Sequence, residues 1–365
     1  MAKILKSYGL DVTMLSSIHY RPEPNRRPVG RFRGIKYFMP SVHPETTSKL
    51  KRIYFKLVYI AKVLVFLLNT RRKTSRIYYL FDDNSVPLFP FLFFLERMGV
   101  IKLIFNLEEW PLAHEMRYGA RMRTHFFVVL ALKFSRKIVC VSSFLVARAL
   151  EYNRRAQIFK LPALAEFKPV ACEPTDVDGS DTTRFLYCGN VGYAEVIDII
   201  IQAYESVCRS GKQAKIDLVL IVHGNATQMR LIEGLVARSA RSIRLMTALS
   251  EADLFAEYAR ASVLLAPLRH TVQDQARFPQ KVAEYVALAR PVITTFVGDN
   301  CIYFEPDKSA IFLNEFSVEE LAGKMQFAID NKELIAEVGR QGNAVGRKNF
   351  DYRGYIATFG DFVTS

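Results

Sequence analysis

The stretch FPQKVAEYVALARPVIT, Phe278 to Thr294, decides the reading of this chain. It predicts a short helix opened by Pro279, a tight turn at Arg290-Pro291, and a buried strand from Val292 to Thr295. Proline suits a first helical turn because its missing N–H would have no partner there. The free amides of that turn, together with the helix dipole, favour a phosphate. Lys281 falls in the first turn and Glu284 about one turn later, where a carboxylate can grip a vicinal diol. Cation, amides and carboxylate suit a nucleoside diphosphate and its ribose. A plain exposed Lys281–Glu284 pair on an amphipathic helix fits the same spacing, and both readings stand at this point.

At 365 residues the chain exceeds the usual size of one domain, so two are expected. A hydrophobic half and an ordinary 24% of charged residues argue for packed cores and against disorder. Cys140, Cys172, Cys188, Cys208 and Cys301 are scattered, with no Cys-x-x-Cys pair and no histidine cluster nearby. That usage excludes a disulfide scaffold and a structural zinc site, and it suits a reducing compartment. No cleavable signal is read at the start. Asp176-Val-Asp178 has the spacing of a metal-binding pair, but no apolar strand leads into it and it reads as solvated. Neither a metal nor a cofactor is expected.

Charge is divided unevenly. Residues 1–170 carry 30 Lys and Arg against 11 Asp and Glu, a net +19, and the remainder is −5. Such asymmetry implies that the first half meets an anionic surface. Within it, Lys49 to Leu68 is apolar but interrupted by Lys56 and Lys62, and Arg71-Arg72-Lys73 follows. The segment is short for a membrane span, and its lysines would be costly at mid-bilayer. Lying in the membrane interface, with Lys49, Lys51, Arg52, Lys56, Lys62, Arg71, Arg72 and Lys73 reaching the headgroups, fits better. A core helix with basic ends is the alternative. Nucleic acid is not expected, because no recognised binding motif accompanies the charge.

The chain alternates strand and helix in two rounds. The first has strands near Val12–Ser16, Ile77–Phe81, Ile101–Asn106 and Lys137–Val141. The second has strands near Phe185–Cys188, Asp217–Val222, Ile243–Thr247, 263–266 and Val292–Thr295. Alternation of this kind predicts an α/β protein with parallel sheets. The expected organisation is an N-terminal Rossmann-like domain over 1–167, a linker over 168–183, and a second such domain over 184–350. Residues 351–365 form a closing helix. Open sheets of this type bind ligands beyond the carboxyl ends of their strands, so a cleft between two facing sheets is the expected site.

Five segments now carry a resemblance: GNVGYAEVIDIIIQAY (189–204), LVLIVHG (218–224), SEADLFAEYARASVLLAPL (250–268), FPQKVAEYVALARPVIT (278–294) and the ending NFDYRGYIATFGDF. YYLFDDNSVPLFPF, IFNLEEWP and KIVCVSSFLVARAL precede them in the same order. The chain resembles the GT-B-fold retaining glycosyltransferases of group 1, which use nucleotide-sugar donors. The resemblance implies a C-terminal domain that holds the nucleotide and a basic N-terminal domain that holds the acceptor. It also implies a last helix that returns to the first domain. The family's first strand and glycine-rich loop have no counterpart before Ala2–Tyr8, so the first sheet is expected to lack its usual first strand.

Carried over position by position, the resemblance makes Glu284 the ribose ligand, with Lys281 beside it. The family's second glutamate, eight residues earlier, is Ala276, and Asp274 stands near enough to replace it only if the loop bends. Two phosphate-binding cations of the family fall on Asn190 and Glu195. Arg269, His270, Arg277 and Lys281 are the candidate replacements, and Gly189, Asn190, Gly192 and Gly224 line the expected approach to the phosphates. In the first domain Glu109 matches the position facing the sugar, with Glu108 and His114 close by. A carboxylate or imidazole there can take the acceptor's proton. Trp110 either stacks on a sugar or packs in the core, and His223 is either a donor contact or an idle loop residue.

The implied function is transfer of a hexose-type sugar from a nucleotide donor to a lipid-linked or glycan acceptor, in surface polysaccharide or glycolipid assembly. The expected location is the cytoplasmic face of the membrane. Asn190, Glu195, Ala276 and the missing strand keep a rival open: a catalytically degenerate GT-B protein that partners an active glycosyltransferase. A sugar-nucleotide epimerase of the same fold is a third reading.

Overall fold

The computed structural model describes residues 1–15, 29–38, 49–69, 75–80, 88–113, 118–168, 182–210 and 215–365. The chain forms two compact units, Met1–Leu161 with Arg353–Ser365, and Pro162–Tyr352.

The first unit begins with α1 (Ala2–Ser7) and β1 (Thr13–Leu15), then β2 (Val29–Phe32) and β3 (Ile35–Phe38). These strands make a small mixed sheet in the order β1-β3-β2. The β2–β3 hairpin turns on Arg33 and Gly34, both with positive φ, as a two-residue turn between twisted strands requires. Next come α2 (Lys49–Asn69), β4 (Ser75–Leu80), α3 (Phe89–Arg97), β5 (Ile101–Leu107), α4 (Tyr118–Phe134), β6 (Lys137–Cys140), α5 (Ser143–Tyr152) and β7 (Gln157–Lys160). Strands β4-β5-β6-β7 form a wholly parallel sheet. Buried Leu103, Ile104, Phe105, Ile138, Val139 and Cys140 read as the near-continuous apolar strands of a sheet covered on both faces.

The second unit is one parallel sheet. Its elements are β8 (Thr183–Asn190), α6 (Ala194–Arg209), β9 (Ile216–His223), α7 (Ala226–Arg238), β10 (Ile243–Met246), α8 (Glu251–Arg260) and β11 (Val263–Ala266). They continue with α9 (Val272–Ala276), α10 (Gln280–Ala287), β12 (Val292–Thr295), α11 (Asn300–Tyr303), β13 (Ile311–Leu313), α12 (Val318–Asp330) and α13 (Lys332–Phe350). A last helix, α14 (Ile356–Thr364), belongs to the first unit. There Phe359 and Phe362 meet Phe159 at ring distances of 5.4 and 5.2 Å, and the Tyr8 hydroxyl donates to Asp361 Oδ1 at 2.7 Å.

Helix α6 explains why the second sheet is covered. Val196, Ile197, Ile200, Ile201, Tyr204 and Val207 recur at helical spacing, and all are buried against Leu218, Leu220, Val263 and Leu265. Each such side chain contributes roughly 1.5–3 kcal/mol on burial. Side-chain caps start the flanking helices: Asn225 with Gln228 on α7, Ser250 on α8, Ser317 on α12. Helix α13 lies close to α10. A Cβ at Gly339 would strike the Ala289 carbonyl, and Asn343 Nδ2 donates to Val286 O and Ala287 O at 2.7 and 3.1 Å.

The strand order is β10-β9-β8-β11-β12-β13. The chain starts in the middle, runs outward one way, returns, and runs outward the other way. Loops at the carboxyl ends of β8 and β11 therefore diverge and leave a crevice, the switch point where doubly wound sheets hold ligands.

The boundary between units falls at Leu161/Pro162, earlier than the sequence alone suggests. Phe167 is buried in the second unit, and Ala165 N donates to Phe350 O at 2.9 Å. The β2–β3 hairpin, β7, α7 and β13 are additions to the sequence reading.

Candidate functional site

Two loops leave the switch point. After β8 comes Asn190-Val191-Gly192-Tyr193, a single 3-10 turn leading into α6. After β11 comes the loop to α9 and α10, with Arg269 and Arg277 at its two ends.

Asp274 ties these pieces together. Its side chain is 0% exposed. Its Oδ2 accepts from Arg269 N and Arg269 Nε, each at 2.9 Å, and Oδ1 lies 2.7 Å from an Arg277 terminal nitrogen. Thr271 caps α9 and so fixes where Asp274 sits. Arg269 also reaches Gln273 Oε1 at 3.2 Å. Both guanidinium groups lie over the Tyr193 ring, Arg277 at 4.3 Å and Arg269 at 5.4 Å, and Arg277 donates to the Tyr193 hydroxyl. Two cations thus lie against one aromatic ring, as guanidinium groups favour. The outer Arg269 nitrogen lies 3.5 Å from Glu195 at the start of α6. The aspartate does not bend outward to replace the glutamate missing at Ala276, which is itself buried. It holds arginines instead.

Lys281 and Glu284 do not pair. The Lys281 amine donates to Cys188 O at 3.0 Å and lies 4.0 Å from the Tyr187 ring centroid. Burial, reinforced by the nearby Arg277 charge, lowers its pKa to about 7. Glu284 is partly buried on the same helix. Burial raises its pKa, and a hydrogen bond from Gln280 opposes the rise. Gln280 Nε2 also donates to Leu164 O at 2.7 Å. The exposed-pair reading is therefore replaced by two separately engaged, partly desolvated groups.

The turn residues have structural reasons of their own. A Cβ at Gly189 would run into the Tyr187 phenol, the ring beneath Lys281. Gly224 makes room for Val191, whose Cγ2 would lie 2.7 Å from an added Cβ. Asn190 Oδ1 accepts from Gly192 N at 2.8 Å, so that amide is already engaged. His270 meets Asn314 O at 3.0 Å, and His223 is exposed at the end of β9.

In the first unit, Glu108 and Glu109 follow β5. Asn106 Nδ2 donates to Glu108 Oε1 at 2.8 Å, and burial raises the Glu108 pKa. Glu109 is exposed, whereas Trp110 is buried beside Tyr152, so the core reading of the tryptophan prevails. His114 and Arg71-Arg72-Lys73 lie outside the described residues, as do the side chains of Lys49, Arg52 and Lys56. On α2, Ile60, Val63 and Leu67 are buried. Leu50, Ile53, Tyr54, Leu57, Val65 and Leu68 are exposed, with exposed Lys51 and Lys62 among them. Among the described residues no helix is long and apolar enough to cross a membrane, and no group of His, Cys, Asp and Glu could hold a metal ion.

The sequence reading missed Tyr187 and Tyr193 and the anchoring task of Asp274. The spacing Arg269, Asp274, Arg277 was the available signal, because a carboxylate between two arginines in one short loop can bind both.

Comparison with known proteins agrees with this architecture. Residues 182–331 match the family of glycosyl transferases group 1. The sucrose-phosphate synthase of Thermosynechococcus elongatus superposes with a TM-score of 0.78 at 15% identity, over 100% of this chain and 90% of that one. Anabaena HepE in complex with UDP and glucose gives 0.68 at 13% identity, over 91% and 87%. An S. aureus TarM variant in complex with fondaparinux, alpha-GlcNAc-glycerol and UDP gives 0.64 at 12% identity, over 84% and 59%. No protein of curated function matches the chain in sequence. The chain has the GT-B fold, and the match to the group 1 family is confined to residues 182–331 of its C-terminal unit.

Proposed function

We propose that the chain is a metal-independent, retaining glycosyltransferase that takes its sugar from a nucleoside diphosphate bound at the switch point of the C-terminal sheet. One observation carries this reading: Arg269, Arg277 and Lys281 converge beside the β8 turn, held by Asp274, Tyr193 and Cys188 O. Departure of a nucleoside diphosphate builds negative charge on its phosphate oxygens. Fixed cations aimed at that charge are what lowers such a barrier. They stand in for the cations absent at Asn190 and Glu195. Glu284 holds the ribose hydroxyls, and the 189–192 turn and Gly224 let the backbone approach the phosphates.

HepE was captured with UDP and glucose, which makes a uridine diphosphate sugar the first donor class to try. The acceptor is a lipid-linked or glycan hydroxyl, as the glycan-related ligands of TarM suggest by analogy. Glu109, with His114, takes its proton. The product belongs to surface polysaccharide or glycolipid assembly at the cytoplasmic face of the membrane. The +19 charge of residues 1–170 and the exposed apolar stripe of α2 beside Lys51 and Lys62 support that placement.

Calorimetry with UDP, GDP and ADP, followed by transfer assays with the matching sugars and membrane lipid extract, tests this reading. The wild type should bind one diphosphate, and Glu284→Ala should weaken that binding by about tenfold or more, the loss of a charged hydrogen-bonding partner. Undiminished affinity in Glu284→Ala would move the donor elsewhere. The degenerate-partner reading has its own support, because Glu195 places a carboxylate where the family resemblance expects a cation. Binding of a nucleotide with no turnover of any donor sugar would favour it.

A further inference from the structure

Arg269 meets two carboxylates that differ in almost every physical respect, and Arg277 meets one of them. Asp274 is fully enclosed, accepts from both arginines, and sits on a helix fixed by Thr271. Glu195 is 66% exposed and touches one outer nitrogen of Arg269 at 3.5 Å. The first arrangement is hard to undo, because removing one partner strands buried charge. The second is a surface pair of the kind worth little, which a more highly charged anion displaces readily. Asp274 occupies Arg269 N and Nε, and Gln273 meets one terminal nitrogen. The other terminal nitrogen faces Glu195.

We propose that these carboxylates have opposite tasks. Asp274 is a positioning residue that aims Arg269 and Arg277 at the diphosphate of the donor, while Glu195 is a placeholder anion that the diphosphate displaces. The proposal rests on the donor reading above and extends it to two residues with no assigned part. Two guanidinium groups over one tyrosine repel each other unless an anion lies between them, and Asp274 is that anion. Glu195 satisfies Arg269 in the free protein at small cost to binding. An incoming diphosphate then replaces it with bidentate, charge-assisted hydrogen bonds.

The signs of two substitutions test this. Calorimetry would use the tightest binder among UDP, GDP and ADP, together with its monophosphate, and thermal unfolding would monitor folding. Glu195→Gln should bind the diphosphate about two- to five-fold tighter, the range of an exposed pair. Asp274→Asn should bind it at least about tenfold more weakly, with the monophosphate affected less. Should Asp274→Asn fail to fold, a cycle with Arg269→Gln decides the matter. In that background Glu195→Gln should bring no gain, since no arginine is left to release. An unchanged or weakened diphosphate affinity in Glu195→Gln would overturn the placeholder. An equal loss of monophosphate and diphosphate in Asp274→Asn would overturn the positioning role. A wild type that binds no nucleotide would instead overturn the donor reading itself.

Discussion

The switch point of the C-terminal sheet and the helix α2 of the N-terminal unit are both rich in cations, yet they use them differently. At the switch point the guanidinium groups are stacked on Tyr193 and locked by an enclosed aspartate. Along α2, Leu50, Ile53, Tyr54 and Leu57 stand in solvent beside Lys51. The first arrangement suits a small ligand with concentrated charge, because its donors are fixed before the ligand arrives. The second suits a broad, soft surface, where affinity grows from many weak contacts. Net charge alone does not separate these cases. The company each cation keeps does.

The sharpest way to break the contrast is to remove the lock. Asp274→Ala should lower the stability of the C-terminal unit by about 3–5 kcal/mol, the range for a charge left buried without its partner. Urea unfolding of the full chain measures it. A shift below about 1 kcal/mol would mean that the arginines relax into water and that the site is not fixed in advance.

Next in size is a pH effect. Burial brings the pKa of the Lys281 amine down to about 7 in the free protein, and the proposed diphosphate would raise it. Below pH 7 the amine is charged in both states, so affinity is flat. Above pH 7 binding takes up a proton, and diphosphate affinity should fall by up to about tenfold per unit of pH. Calorimetry from pH 6 to pH 9 tests the slope, and Lys281→Met should abolish it. For the fold alone the sign is opposite. Protonation of this amine favours the unfolded chain, so its contribution to stability improves as pH rises from 7 toward the unfolded value near 10.4.

The smallest effect sharpens the α2 side. Ile53→Ser with Leu57→Ser should reduce flotation on anionic vesicles several-fold, while unfolding stability changes by roughly 0.5 kcal/mol or less. Retained flotation would separate the helix from the membrane. A large loss of stability would show that the stripe is covered within the protein.

How much of this was legible beforehand depends on range. Strands such as Val292–Thr295 announce themselves by four successive apolar or β-branched residues between turn signals. Helix α6 does so by its recurring isoleucines. Short elements do not: β13 has three residues, and β7 is QIFK with exposed Gln157. The β2–β3 hairpin carried a signal in Arg33-Gly34, but arginine is an unusual occupant of that turn. Lys281 and Glu284 were readable because both lie within one turn of one helix. The stacking of Arg269 and Arg277 on Tyr193 was not, because Tyr193 and Arg277 are far apart in sequence and meet only after β8 and β11 pair. Strand order produces that meeting, and no local pattern encodes it.

Helix α13 grips the far end of α10. Asn343 holds the last carbonyls of α10, and the bare backbone at Gly339 lies against the turn that follows. The short helix is therefore clamped like a lever at its heel, with Lys281 and Glu284 on the arm. A bulkier residue at 339 would tilt that arm and disturb the proposed phosphate and ribose contacts together. Damage to both grips at once, from a position in neither, would be the mark of a mechanical fault rather than a chemical one.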